Sequence, residues 1–311
     1  MQPQKVSPDR PAIKVDFIDF WPNFLKRDNY FYHILSQRYE VEIGEKDPDI
    51  VFMSCYSMDK QRYANHSCKK IFFTGENRGL KCVRGGKWAD CPFDYDVTLT
   101  FDETGGINTY LPLFVLFINW LNVPHNNERD ISYLASLSDL LEPLQDETGL
   151  LKKKTKGCCF LAKNPTAEER NQFCVEAQRR FPVDCAGPVL NNCPEIGGRG
   201  DQIQKINFIS QYRSIIAFEN SRHPGYLTEK ALHGLATKCV PVYWGADTIS
   251  VYFNEQNFIK VDRYDQWPSA MQRMQQIIES DCEYLKMVCE PAMKRTVLDE
   301  FDTQRILDII D

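Results

Sequence analysis

Short apolar segments alternate with longer amphipathic ones along the whole chain. Segments of four to seven mostly apolar residues are typical of buried strands, and the longer segments between them have the spacing of helices. The predicted strands are Lys14–Phe20, Asp49–Ser54, Lys70–Thr74, Asp96–Phe101, Gly157–Ala162, Pro182–Cys185, Ser214–Phe218 and Cys239–Trp244. The predicted helices are Tyr30–Glu40, Ala167–Phe181, Gln202–Tyr212, Thr228–Lys238, Ser269–Glu279 and Val297–Ile310. This alternation indicates an α/β protein with βαβ units around parallel sheets.

A polar stretch from Gln145 to Lys156 separates the two sets of strands and contains the basic run at residues 152–156. We interpret this run as a solvated linker, with a phosphate site as the alternative. The stretch predicts a domain boundary near residue 150 and a cleft between two α/β domains. The last predicted helix could cross back onto the first domain.

Composition and charge narrow the classes of partner. The 311 residues are 43% hydrophobic and 26% charged, with a formal net charge of −6, which disfavours nucleic acid or an anionic membrane as the main partner. The longest apolar span, Tyr110–Leu121, contains Pro112 and is too short to cross a membrane. The polar N-terminus resembles neither a signal peptide nor an anchor, so we expect no membrane span and a cytoplasmic setting.

The twelve cysteines form no CxxC pair, so zinc-ribbon and thioredoxin interpretations lack their spacing. Those inside apolar runs are predicted to be small buried hydrophobic residues: Cys158, Cys159, Cys174 and Cys239. Two disulfides stay open as alternatives, Cys82–Cys91 and Cys185–Cys193, although a reducing cytosol disfavours both.

The densest polar chemistry lies in FENSRHPGYLTEK, residues 218–230. Glu219 and Asn220 follow a predicted strand at its carboxyl end, which is where open α/β sheets bind ligands. Thr228 is predicted to be the N-cap of a helix whose first turn carries Glu229 and Lys230.

A lysine in the first turn opposes the helix dipole unless an anion lies beside it. We therefore predict that Lys230, on an exposed helix start, binds a diphosphate together with the free N–H groups. Tyr226 could lie against a base or ribose, and Glu229 could accept hydrogen bonds from sugar hydroxyls. The structural alternative is a connecting loop whose polar residues only cap. Neither GxGxxG nor GxxxxGK[ST] occurs, which disfavours dinucleotide oxidoreductases and P-loop proteins.

The same stretch resembles the signature of the α-1,3-fucosyltransferases, glycosyltransferase family ten, and above all its soluble bacterial-type members. The match consists of FENS, YLTEK and VPVYWG at residues 218–221, 226–230 and 240–245. Outer segments resemble the family as well: ILSQRY at 34–39, FTGEN at 73–77 and FISQY at 208–212.

The resemblance implies a GT-B fold of two facing Rossmann-like domains, with residues 1–150 binding the acceptor and residues 151–311 binding the nucleotide sugar. It implies an inverting transfer of L-fucose from GDP-β-L-fucose to a sugar hydroxyl, typically O3 of N-acetylglucosamine in an acceptor oligosaccharide such as N-acetyllactosamine. Products of this kind belong to glycan biosynthesis, including Lewis antigens. The open alternatives are a GT-B transferase for another nucleotide sugar and a non-catalytic module that binds sugar nucleotides or glycans.

Residue by residue, the resemblance makes Glu76 the general base and Arg170 a ligand of the diphosphate. It assigns donor binding to Glu219, Asn220, Tyr226, Glu229 and Lys230. Glu76 follows the predicted strand Lys70–Thr74, so it could face the cleft, or it could only cap a turn.

No DxD pair stands at the end of a predicted strand, so we expect no metal site and a divalent metal that is at most stimulatory. The segment Arg78–Pro92 matches nothing in the family; its Trp88 could touch the acceptor or lie in a surface loop.

Overall fold

Two parallel β-sheets, one in each half of the chain, carry the fold in a computed structural model that describes residues 10–57, 59–77, 94–102, 108–124, 135–196 and 202–311. The strands are β1 (Ala12–Ile18), β2 (Glu40–Ile43), β3 (Ile50–Met53), β4 (Lys69–Thr74), β5 (Val97–Thr100), β6 (Asn108–Tyr110), β7 (Ile118–Asn119), β8 (Ala135–Ser136), β9 (Lys156–Phe160), β10 (Val183–Cys185), β11 (Tyr212–Ile216), β12 (Val240–Tyr243) and β13 (Ile259–Lys260). The first sheet has the order β2-β1-β3-β4-β5-β6 and the second β10-β9-β11-β12-β13, while β7 and β8 pair separately.

Helices flank and connect the strands. They are α1 (Tyr30–Leu35), α2 (Leu137–Leu141), α3 (Glu147–Lys153), α4 (Glu168–Gln178), α5 (Gln202–Ile209), α6 (Glu229–Ala236), α7 (Ile249–Tyr252), α8 (Trp267–Glu279), α9 (Asp281–Val288), α10 (Val297–Glu300) and α11 (Thr303–Ile310). Because neighbouring strands in both large sheets run parallel, their carboxyl ends meet at one edge of each sheet.

Each of the eight predicted strands overlaps an observed one, so the α/β prediction is confirmed. The prediction for β1 ran two residues too far, because Asp19 adopts a positive φ of 60° and turns the chain. The predicted helix Tyr30–Glu40 is wrong in its second half, since α1 ends at Leu35 and the chain then enters β2 at the sheet edge.

One apolar core joins the two halves of the chain. Phe52 and Phe73 of the first sheet belong to the same cluster as Leu232 of α6 and Phe301, which follows α10. The last helix, α11, packs on α1, and its Asp308 accepts a hydrogen bond from Arg38 at 2.5 Å. The C-terminal end of the chain therefore lies on the first domain.

The linker prediction for residues 145–156 is wrong in part: Lys152, Lys153 and Lys156 are exposed as expected, but residues 147–153 form α3 and Lys154 is buried. Asp146 caps α3 by accepting a hydrogen bond from the Gly149 N–H at 2.8 Å. Lys154, at the end of α3, is only 3% exposed, and its Nζ donates to the carbonyls of Tyr212 and Thr237, both at 2.8 Å. This lysine therefore fixes α3 to the second domain instead of lying in solvent.

The burial of Lys154 makes stability depend on pH. Burial lowers the pKa of Lys154 from 10.5 to about 8. Below pH 8 both the folded and unfolded states keep the proton. Above it the folded state releases the proton first, so the free energy of unfolding rises with pH. We expect wild type to gain about 2 kcal/mol relative to Lys154→Met between pH 7 and pH 10, measured by urea unfolding. Parallel stability curves for the two proteins would contradict this role of the ammonium group.

The four cysteines predicted to be buried are buried: Cys158, Cys159, Cys174 and Cys239. Cys185 and Cys193 are both free thiols, so the structure does not contain the alternative disulfide between them. Cys82, Cys91 and Trp88 lie outside the described residues.

Candidate active site

A cavity of about 300 Å³ opens between the two sheets, and carboxyl-end loops of both sheets form its walls. This position is typical of ligand sites in open α/β proteins. The first domain contributes Gly75, Glu76 and Leu113. The second domain contributes the loops after β9 and β10, the start of α6, and side chains that include Arg170, Lys205 and Asn220.

The loop between β11 and α6 is pressed against the first domain. Gly225 has a φ of +73°, and a Cβ at this position would lie 2.1 Å from the Phe101 carbonyl oxygen. Tyr226 packs edge-on against the Phe101 ring at 5.1 Å and is 2% exposed, while it also borders the cavity. A glycine is required here because the backbone both turns and approaches another chain segment closely.

Glu219 lies beneath the cavity wall. Its side chain is fully buried, and its Oε1 accepts a hydrogen bond from the Thr228 N–H at 2.8 Å. Its Oε2 accepts from Thr228 Oγ1 at 2.7 Å and from Lys230 Nζ at 2.8 Å. The sequence assigned Glu219 to donor binding; in the structure it is absent from the cavity lining and instead holds Thr228 and Lys230 in place. Thr228 occupies the predicted N-cap position, but its hydroxyl bonds to Glu219 and makes no cap.

Lys230 borders the cavity with its side chain 19% exposed, so the prediction of an exposed helix start is wrong. From the sequence we expected a bound anion to balance the charge of Lys230. In the structure the buried Glu219 carboxylate already balances it. Burial lowers the pKa of Lys230, but the Glu219 and Glu229 carboxylates outweigh burial and hold it above its ordinary value. Lys230 is therefore a fixed ammonium ion at neutral pH.

Glu229 also borders the cavity and lies 3.3 Å from Lys205 Nζ. Burial raises the pKa of Glu229, but Lys205 and Lys230 outweigh burial and hold it well below its ordinary value. The carboxylate is therefore ionised at neutral pH and accepts hydrogen bonds from hydroxyl groups.

Arg170, on α4, is 3% exposed and lies at the same wall as Asn220. Its guanidinium donates to Asn220 Oδ1 and to the Asn164 carbonyl, both at 2.5 Å, while its Nε has no partner among the described residues. Burial lowers the Arg170 pKa and the nearby Glu219 carboxylate opposes that shift. Since guanidinium ionises far above neutral pH, Arg170 remains a cation.

Glu76 faces the cavity from the first domain, directly after β4. Gly75 allows the chain to pass close to Leu113 at this point. A larger residue would clash, because its Cβ would lie 2.4 Å from Leu113 Cβ. The Glu76 N–H donates to Thr74 Oγ1 at 3.1 Å, and the Tyr56 hydroxyl donates to Glu76 Oε1. Burial raises the pKa of Glu76, while Tyr56 and Lys230 act in the opposite direction. A carboxyl group with a raised pKa is suited to accept a proton near neutral pH.

Six of the seven predicted site residues thus border one cavity, and Glu219 supports it from below. Tyr56 and Lys205 contact Glu76 and Glu229, respectively, and were not predicted from the sequence. Tyr56 follows β3 at its carboxyl end, so the rule that pointed to Glu219 and Asn220 could have found it. Lys205 carried no such signal, because a lysine on a helix is usually solvated.

Two kinds of feature are absent from the residues that the structure describes. No group of three or more His, Cys, Asp or Glu side chains is arranged there to hold a metal ion. Within the same ranges, no helix has both the length and the apolar character needed to span a membrane.

Two family profiles match the chain. "Glycosyltransferase family 10 (fucosyltransferase) C-term" matches residues 150–289, and "Alpha-(1,3)-fucosyltransferase FucT N-terminal domain" matches residues 15–117. Among curated proteins, the α-(1,3)-fucosyltransferase FucT of Helicobacter pylori is 26% identical over 90% of this chain and 60% of its own length. GDP-fucose protein O-fucosyltransferase 3 of Danio rerio is 30% identical over 38% of this chain and 27% of its own. The chain thus spans less than two thirds of either relative.

Solved structures of α1,3-fucosyltransferase are similar to this fold. The complex with GDP-fucose has a TM-score of 0.67 at 21% identity, covering 98% of this chain and 91% of the other. The complex with GDP has a TM-score of 0.64 at 22% identity, with coverage of 98% and 92%. At this identity the likeness concerns the fold, and it confirms the predicted GT-B architecture.

Proposed function

We propose that this chain, which belongs to glycosyltransferase family 10, transfers L-fucose from GDP-β-L-fucose to a hydroxyl of an acceptor glycan. The observation that carries the proposal is the arrangement across one cavity. Glu76 lies on the first domain, and two cations, Lys230 and Arg170, lie with the start of α6 on the second. A displacement with an anionic leaving group requires a base for the attacking hydroxyl and cations beside the leaving group, and this cavity has both.

The positive charges of Arg170 and Lys230 indicate where the nucleotide sugar binds. A diphosphate placed at Arg170 and Lys230 meets two cations and the positive end of the α6 helix dipole. Glu229 then lies beside the sugar, where its ionised carboxylate accepts hydrogen bonds from hydroxyl groups. Asn220 borders the same space, and Tyr226 closes it toward the first domain.

The transfer is a single displacement at the anomeric carbon. The acceptor oxygen forms a bond to C1 of fucose while the bond from C1 to the β-phosphate oxygen breaks, and GDP leaves with the electron pair. Glu76 takes the proton of the attacking hydroxyl and later gives it to solvent. Attack opposite the leaving group converts the β-linked donor into an α-linked product, which is an inverting reaction.

Fixed cations take the role that a metal ion has in many glycosyltransferases. Lys230 and Arg170 stabilise the charge that develops on the diphosphate as the bond breaks, and both are already oriented by Glu219 and Asn220. We therefore propose a reaction in which a divalent metal is not essential.

The regiochemistry is proposed from the relatives. The H. pylori relative carries α-(1,3) in its name. We propose O3 of N-acetylglucosamine as the attacking group, in an acceptor such as N-acetyllactosamine.

The test combines binding and transfer. Calorimetry with GDP, UDP and ADP is expected to show binding of GDP alone. Incubation with GDP-fucose and a panel of type-1 and type-2 lactosamine acceptors is expected to add one deoxyhexose by mass spectrometry, with equal rates with and without EDTA. Preferential binding of UDP would indicate a different nucleotide sugar. GDP binding without transfer to any acceptor would indicate a non-catalytic module.

A further inference from the structure

A second cavity, of about 170 Å³, adjoins the first at the carboxyl ends of β1, β3 and β4. The two cavities share Glu76 and Glu229, so they meet at the proposed reaction centre. The walls of the second cavity include the aromatic residues Trp21, Tyr56 and Phe117 and the polar residues Glu76, Gln202 and Glu229. This mixture of aromatic and polar residues can recognise a sugar, which has an apolar C–H face and a polar rim.

Trp21 is a preformed aromatic surface. Its ring is partly exposed and is held edge-on by Phe24 at 4.9 Å, by Phe20 at 5.6 Å and by Tyr56 at 6.4 Å between ring centroids. A ring that its neighbours already fix loses little conformational freedom when a ligand packs against it.

Tyr56 joins this aromatic wall to the proposed base. Its hydroxyl donates to Glu76 Oε1, and burial raises the pKa of Tyr56, so the phenol keeps its proton. Within the described ranges, the other oxygen of Glu76 has no hydrogen-bond partner from the protein. One carboxylate oxygen is therefore occupied, and the other is available for an incoming hydroxyl.

We infer that the second cavity binds the reacting ring of the acceptor as a single pyranose, with Trp21 as its stacking surface and Tyr56 as the residue that positions Glu76. The inference rests on the proposed function. A volume of 170 Å³ lies below the roughly 300–1,000 Å³ of cavities that enclose drug-sized ligands. One sugar ring therefore enters, and the rest of an oligosaccharide extends away from the cavity.

The first test separates acceptor from donor with Trp21→Leu, Trp21→Phe and the control Tyr264→Phe, whose tyrosine is 56% exposed. With GDP-fucose as donor, Trp21→Leu is expected to raise the acceptor KM about tenfold. The donor KM and the Kd for GDP stay within twofold of wild type. Trp21→Phe keeps an aromatic ring and is expected to raise the acceptor KM much less. Tyr264→Phe is expected to change neither the acceptor KM nor the donor KM. The KM increase is expected to be equal for N-acetyllactosamine and methyl N-acetylglucosaminide, because only the reacting ring meets Trp21.

The second test uses Tyr56→Phe and the pH profile of kcat/KM. The Tyr56 hydrogen bond stabilises the ionised form of Glu76, so its loss raises the Glu76 pKa. We expect kcat to fall about tenfold and the acid limb of the profile to move to higher pH, at an unchanged donor KM. A purely structural role would leave the limb where it is.

The outcomes distinguish the inference from the proposed function. A wild-type protein that neither binds GDP nor transfers fucose would remove the proposed function itself. Transfer with an unchanged acceptor KM in Trp21→Leu, or an increase in the donor KM instead, would overturn the inference and leave the proposed function standing. An unshifted acid limb in Tyr56→Phe would remove its positioning role. Circular dichroism confirms folding, and Trp21→Met, which also removes the aromatic ring, provides the KM test if Trp21→Leu does not fold.

Discussion

Glu76→Gln is expected to bind GDP-fucose like wild type and to lose transfer by a factor of roughly 10²–10⁴, the range typical of general-base assistance. The amide oxygen of glutamine can still accept the Tyr56 hydrogen bond, so the local structure is kept. Since only the carboxylate accepts a proton, kcat/KM of wild type rises as pH passes upward through the raised pKa of Glu76. This acid limb disappears in the variant. Single-turnover kinetics and calorimetry measure the two quantities separately.

The matched control is Glu42→Gln, at an exposed position of β2 on the edge of the first sheet. It removes the same charge from the same domain, away from the cavity, and is expected to change neither rate nor affinity. A Glu76→Gln protein with full turnover would exclude Glu76 as the base, whatever its donor affinity.

Lys230→Ala is expected to weaken GDP binding by roughly 100-fold, because a charge-assisted contact to the diphosphate contributes about 1.5–3 kcal/mol. The same substitution leaves the buried Glu219 carboxylate without its cation, which destabilises the fold by about 3 kcal/mol or more. Affinity and stability therefore fall together in the single variant. Calorimetry and urea unfolding measure the two losses.

A double variant, Glu219→Gln with Lys230→Ala, separates the two effects. Glutamine at position 219 carries no charge, and its oxygen can still accept the hydrogen bond from the Thr228 N–H. We expect the double variant to regain most of the lost stability and none of the lost GDP affinity. Wild-type GDP affinity in a folded protein that lacks Lys230 would contradict the diphosphate role.

The strands and the position of Glu76 were predictable because they depend on local pattern. Apolar runs between turn residues located eight strands, and the rule that ligands gather at carboxyl ends then located Asn220 and the loop before α6. The family resemblance singled out Glu76, which follows one of these strands. The family motif added the chemistry expected of each residue type. Tyr56 and Trp21 also follow the ends of strands, so the same rule covers their positions but does not give their roles. They lie beside Glu76 only because β1, β3 and β4 are neighbours in the sheet.

The roles of buried charges were beyond the reach of the sequence as well. Glu219 and Lys154 have the residue types of a ligand contact and a solvated linker, yet one holds Lys230 and the other ties α3 to two backbone carbonyls. Charged residues are usually exposed, and the residue type does not mark which of them are buried with partners. Tyr212 lies 58 positions from Lys154, a separation over which no local pattern operates.

The apolar core that joins Phe52 and Phe73 to Leu232 and Phe301 sets a limit on how the protein exchanges its ligands. A hinge motion that separated the two domains would expose this shared apolar core to water, at a large free-energy cost. Under the proposed function we therefore expect the nucleotide to enter and leave without separation of the two domains. The packing of this core thus fixes the distance between Glu76 and the two cations, Lys230 and Arg170, before any ligand binds.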